Sequence, residues 1–176
     1  DLTLNSPLLL NNAGSELITQ GADLVLQDSL QLTAGKITST AGTFTFTKGG
    51  STGTNSTLDI TGTKLKLKKD LSAQNGILTT NNSSVLHLED DLTVTYNGEK
   101  TFKALELNGK ILTLGSASTD MNVLDTLTLS STTLKTGDAD LTAKVTLNTN
   151  SLIDSTGGTL KISGTVDSSS EIKIPG

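Results

Sequence analysis

No cysteine, arginine or tryptophan occurs among the 176 residues, and histidine, tyrosine and methionine occur once each. Without cysteine there is no disulfide and no thiolate metal site. A single histidine excludes a histidine-rich metal centre and leaves little for a histidine-dependent triad. All positive charge is lysine, and at a net charge of −5 nothing builds the basic stripe that nucleic-acid binding needs. No apolar run approaches the ~18 residues of a membrane span. No signal peptide is visible at the opening "DLTL", which reads as a processed form or a piece of something longer. Large apolar side chains are also scarce: Phe44, Phe46, Phe102, Tyr96 and Met121 are all there is beyond the aliphatics. Low aromatic content belongs to disordered chains too, but those do not carry leucine pairs at regular spacing. A core built from leucine among Thr, Ser, Gly and Asn needs a further source of order, and repetition can supply it.

What is present is a repeat. Apolar-x-apolar triplets recur at Leu2/Leu4, Leu24/Leu26, Phe44/Phe46, Leu65/Leu67, Leu86/Leu88, Leu105/Leu107, Leu127/Leu129, Val145/Leu147 and Leu160/Ile162. Their starts differ by 22, 20, 21, 21, 19, 22, 18 and 15 residues, an imperfect period suited to one β-coil per repeat. A second apolar site follows each triplet: Leu8 and Leu10, Leu30 and Leu32, Leu71, Leu92 and Val94, Leu112 and Leu114, Leu134. A third includes Leu17 and Ile18, Ile37, Leu58 and Ile60, Ile77 and Leu78, Phe102, Val123 and Leu124, and Leu141. Turn-formers such as "NNAG", "QNG", "YNG" and "TGDAD" separate them. Period-two alternation broken every few residues by turns predicts strands, and no segment carries a helical stripe. The expected fold is all-β: one parallel β-solenoid domain over 1–176, about nine coils of roughly 20 residues, right-handed by the crossover preference of parallel strands.

One coil cannot bury its few inward leucines alone. Stacked at ~4.8 Å, the coils satisfy their main chains through parallel ladders, and nine of them make a rod of about 43 Å. Stacking Phe44, Leu65 and Leu86 sets Thr45, Lys66 and His87 in an outward column, Thr47, Lys68 and Glu89 in another, and brings Lys69 to Asp90. The coils near "STGTNST" and after Ala143 each lack one or more apolar sites, which predicts bulging loops or a tapering end.

Several residues are candidates for chemistry. His87, outward and beside Lys66, reads as a solvated surface residue. Glu89, Asp90 and Asp91 could supply the two carboxylates of a glycoside hydrolase, but a charged turn paired across coils accounts for them more simply. Asp138 and Asp140 in "TGDADLTA" resemble a Gly-Asp calcium turn, though the repeated ligand pattern of calcium solenoids is missing. No other cofactor is expected. Asn55 and Asn82 match the glycosylation sequon, as chance allows in so Asn-, Ser- and Thr-rich a chain. An ice-binding face needs outward threonines on every coil. The first-strand column reads Thr3, Val25, Thr45, Lys66, His87, Glu106, Thr128, Thr146 and Lys161, interrupted by charge in the middle.

The repeated "DLVLQDSLQL", "DLTVTYNGEK", "TLTLSSTTLKTGDADL" and "TLKISGTV" resemble the degenerate coils of bacterial surface β-helices, namely haemagglutinin-type adhesins and autotransporter passengers. That resemblance implies a secreted, extracellular, non-catalytic scaffold for adhesion or matrix building, with cell-surface glycans among its partners. A polysaccharide-binding or -degrading β-helix is the alternative. Without Arg or Trp, and with one Tyr, the chain has few of the parts such enzymes use. Neither "DLTL" nor "EIKIPG" shows a capping helix or a polar terminal coil. Leu2 and Leu4 at one end, and Ile172 and Ile174 at the other, are therefore the expected assembly residues. They would stack copies head to tail into a filament, or join this segment to a longer repeat chain.

Overall fold

The computed structural model describes residues 1–174; Pro175 and Gly176, the last two of the expected solenoid span, lie outside the described residues. Among the described residues, twenty strands and no helix form three parallel sheets wound round one apolar core. The first side carries Leu2–Leu4, Leu24–Leu26, Thr43–Phe46, Lys64–Leu67, Val85–Leu88 and Ala104–Glu106. The second side runs through Leu8–Gln20, Leu30–Ala41, Gly50–Asp59, Leu71–Ala73, Leu92–Tyr96, Leu112–Leu114, Thr133–Gly137, Leu152–Ser155 and Glu171–Lys173. These nine strands count the nine turns of a parallel β-solenoid. The third side consists of Lys100–Phe102, Asp120–Leu129, Asp140–Leu147 and Leu160–Val166. In the first turns that side is built instead by the far halves of the long second-side strands, with Ile77–Thr79 paired to Gly50–Asp59.

Register follows the apolar triplets. Leu24 faces Phe44, Phe44 faces Leu65 and Leu65 faces Leu86, all buried. Leu17, Ile37, Leu58 and Leu78 stack on the third side, as do Phe102, Val123, Ala143 and Ile162. Like on like in this way buries leucines that no single turn could cover. Phe44 and Phe46 meet edge to face with centroids 4.5 Å apart, filling two slots held elsewhere by leucine.

The corners between sides carry their own hydrogen bonds, with a consistent direction. Hydroxyls reach back one turn: Thr63 Oγ1 to Ser39 O at 2.6 Å, Ser84 Oγ to Ile60 O at 2.9 Å, Ser118 Oγ to Val94 O at 3.4 Å. Aspartates accept from the next turn: Asp23 from Thr43 N, Asp70 from Thr93 N, Asp91 from Ile111 N and Asp140 from Thr159 N, at 2.7–2.8 Å. Short polar side chains thus continue the ladder where the backbone turns away.

Four expectations need correction. Leu160 and Ile162 are not a ninth first-side triplet: they pair with Leu141 and Ala143 on the third side, and the first side continues with Gly164, Thr165 and Val166 opposite Val145, Thr146 and Leu147. The outward first-side column therefore ends in Thr165, not Lys161. Ile18, Ile77 and Leu124, placed among the third apolar sites, point outward and are exposed; alternation seats only their neighbours Leu17, Leu78 and Val123 inward. The "STGTNST" segment does not loop out, because Gly50–Asp59 is one strand with Thr52 buried opposite Leu32 and a single bulge. After Ala143 the expected tapering end is present but starts late: the core continues through Val145, Leu147 and Ile153, and the taper begins at Leu160.

Candidate functional site

The expected assembly residues sit on the two end turns. Leu2–Leu4 pairs only with Leu24–Leu26, and Leu8–Gln20 only with Leu30–Ala41, so one edge of each is unpaired. At the other end, among the described residues, Leu160–Val166 pairs only with Asp140–Leu147, and Glu171–Lys173 only with Leu152–Ser155. Leu4 and Ile172 lie half-buried against the core, whereas Leu2 is 43% and Ile174 64% exposed. Leu2 occupies the inward slot opposite fully buried Leu24, so its exposure comes from having no turn on its outer side. Leu8, Leu10 and Leu17 are half-buried at the same end. At the opposite end a cleft of about 250 Å³ is lined by Val145, Ile162, Ser163, Gly164, Val166 and Ile172. Each end is thus an open triangle of apolar side chains rimmed by unpaired strand edges.

The second feature is a charge network on the first side, in the middle of the rod. Lys66, His87 and Glu106 follow one another in register. Lys64 reaches over the intervening turn to Glu106 at 2.9 Å, and His87 Nδ1 lies 2.6 Å from the same carboxylate. Glu89 takes Lys66, and Lys68 at 3.5 Å; Lys69 pairs with Asp90 at 2.8 Å. His87 is therefore not the solvated residue its isolation in the sequence implies, because Glu106 and Asn108 from the next turn enclose it. Sequence spacing already set Glu106 next after His87 in the outward column; what it did not show is that this carboxylate closes onto the imidazole.

These contacts set the ionisation of the carboxylates. The Lys66 ammonium holds Glu89 below the ordinary glutamate range, and Lys69 does the same for Asp90. For Glu106 burial pushes upward, but the bonds from His87 and Lys64 outweigh it and keep the group low. Asp91 spends its carboxylate on Ile111 N. The trio therefore sits as a charged corner, each member engaged with the neighbouring turn.

Asp138 and Asp140 are not brought together on a common point. Asp138 accepts from Thr156 Oγ1 at 3.2 Å and Asp140 from Thr159 N at 2.7 Å. Among the described residues no group of three His, Cys, Asp or Glu side chains could hold a metal ion. Both sequon asparagines are exposed, but the hydroxyl of Ser84 in the second sequon is buried and bonded to Ile60 O.

Lys100 was not visible as special from the sequence. It occupies an inward position opposite Met121, with its ammonium donating to the carbonyls of residues 97–99 and lying 5.6 Å from the Tyr96 ring centroid. Burial pushes its ammonium down from the usual lysine range. Comparison with known protein families, curated proteins and solved structures finds no match to this chain.

Proposed function

We propose that the chain is a non-enzymatic structural and adhesive β-solenoid, a secreted bacterial surface protein whose turns stack head to tail into a fibre or longer array. One observation carries the reading: both end turns present apolar inward slots and unpaired parallel edges of the same three-sided geometry. An edge of this kind is a template for another strand. A second copy supplies it in register, and further turns of a longer array would meet the same edges. Heterologous contact of this kind does not close, so it propagates into a filament. The adhesive and extracellular parts of the reading rest on the surface-β-helix texture of the sequence.

The cysteine-free chain permits a clean test of the contact. Thr3 and Thr165 are the outward first-side residues of the first and last turns. In an in-register stack they become neighbours at ~4.8 Å, within disulfide reach. Thr3→Cys mixed with Thr165→Cys should give a cross-linked species with rising concentration, while each variant alone stays uncross-linked. Strictly monomeric behaviour, or cross-linking of Thr3→Cys to itself, would overturn head-to-tail assembly. Polysaccharide turnover abolished by Asp91→Ala would overturn the non-enzymatic reading.

A further inference from the structure

Asparagine followed by glycine occurs three times, at Asn75–Gly76, Asn97–Gly98 and Asn108–Gly109, each at a corner of the solenoid. The pair is chemically labile. The main-chain nitrogen after an asparagine can attack its side-chain amide, and glycine has no side chain to obstruct the approach. What separates the three is how each amide is held. Asn97 Nδ2 donates to Gln74 O of the preceding turn. Asn108 Nδ2 donates to Leu88 O at 3.1 Å and to Glu106 O at 3.2 Å. Either side chain must give up those bonds before it can cyclise. Asn75 is exposed, and among the described residues no hydrogen bond holds its amide.

The glycine at 76 is required by packing. A Cβ there would stand 2.6 Å from Thr52 Oγ1 and 2.7 Å from both Gly53 O and Ser56 Oγ of the preceding turn. The corner therefore demands the one residue type that leaves Asn75 open to attack. The strand that follows is lightly held. Ile77–Thr79 pairs with Thr57, Leu58 and Asp59, and among the described residues its other edge has no strand.

We propose that Asn75–Gly76 is a self-modification site, where the folded chain converts asparagine to isoaspartate and loosens the third-side strand beside it. The Gly76 nitrogen gives up its proton and bonds to Asn75 Cγ, closing a cyclic imide. The Cγ–Nδ2 bond breaks, and the amide nitrogen leaves as ammonia with that proton. Water then opens the imide at either carbonyl, giving aspartate or isoaspartate. The net change is water in and ammonia out, with nothing oxidised or reduced. Isoaspartate routes the main chain through its side-chain carbon, so the path from Ala73 to Ile77 gains an atom and a negative charge. Ala73 is fixed opposite Tyr96 in the second-side sheet. The added length therefore falls on Ile77–Thr79, whose register rests on the short ladder to Gly50–Asp59. This inference rests on the corner alone and is independent of the assembly reading.

Peptide mapping by mass spectrometry tests it on the intact folded chain, aged in warm, mildly alkaline buffer. Asn75 should convert at least about fivefold faster than Asn97 or Asn108, the factor that one released hydrogen bond represents. In denaturant the three rates should converge, since the following glycine alone then decides them. Equal rates in the folded chain, no conversion there, or a faster Asn97 or Asn108 would overturn the site. Hydrogen exchange on the converted chain should show Ile77–Thr79 losing protection by about tenfold or more, with Leu30–Ala41 unchanged. Asn75→Gln, whose longer side chain cyclises slowly, should keep that protection through the same ageing. Protection retained in the converted chain, or lost equally in Asn75→Gln, would overturn the loosening.

Discussion

Glu89 shows how a single side chain is shared between turns. Its carboxylate lies between Lys66 and Lys68 of the preceding turn, and Lys66 is what holds it in the charged form. Asp90 and Glu106 are held in the same way, so the middle of the rod carries three carboxylates that bind protons less readily folded than unfolded. The sign follows: with folded values depressed, the stabilisation is fully present above the unfolded carboxylate range of about 4. It is lost as pH falls through the folded values, because the unfolded chain then binds more protons. Thermal melts should therefore show a nearly flat transition temperature from about pH 7 to 5 and a fall below about pH 4. Glu89→Gln should melt slightly lower at neutral pH and lose less on acidification. Because these pairs are largely exposed, the same step should shrink in high salt. A Glu89→Gln protein as acid-sensitive as the parent would show that the network is not what titrates.

At the scale of the strand, Thr43–Phe46 carries the largest apolar load on the first side. Phe44 is wholly buried between Leu24 and Leu65, in contact with Phe46. Phe44→Ala should cost about 3–5 kcal/mol in urea unfolding, since the turns above and below cannot close the cavity without breaking their ladders. Phe44→Leu should cost much less, because leucine fills the same slot in both neighbouring turns. Equal losses would mean that the column tolerates no change of shape. This slot was legible in the sequence, as were the nine turns, because a triplet of period two repeated every 20 or so residues has few other solutions. The side to which a triplet belongs was less legible. Leu160 and Ile162 alternate as well as any first-side pair, and only the short spacing of 15 hinted that they fall one side early. A glycine at 164, opposite Val145, hid the true ninth strand. Nor could alternation reveal an inward lysine at position 100, whose ammonium finds its carbonyls within its own turn. The end residues Leu2 and Ile174 were legible as apolar; that Leu2 shares an inward slot with buried Leu24 follows from winding, which no local pattern reports.

For the whole molecule, the decisive property is that each turn pairs its backbone only with its immediate neighbours, the Lys64–Glu106 pair being a side-chain contact that skips one. Stability in such a stack is close to a sum of turns and of interfaces between neighbours, so an interior turn should be removable if register is kept. Lys64 is opposite Val85, Leu65 opposite Leu86 and Leu67 opposite Leu88. Deleting residues 64–84 therefore sets Val85–Leu88 directly against Thr43–Phe46, with Leu86 over Phe44 and Leu88 over Phe46. The corner hydroxyl survives too, because Thr63 replaces Ser84 at the seam. The shortened chain should fold to the same β-rich circular dichroism and unfold cooperatively. Its denaturant slope should fall by roughly the share of chain removed, about a tenth. It forfeits the pairs made by Lys64, Lys66, Lys68 and Lys69, so a modest drop in midpoint is expected. Deleting only 64–74 removes first-side and second-side strands but keeps the third-side strand Ile77–Thr79, which throws every later turn one side out of place. That chain should aggregate or stay unfolded. If both deletions fold equally well, in-register stacking is not what holds the rod together; if neither folds, the turns depend on one another beyond nearest neighbours.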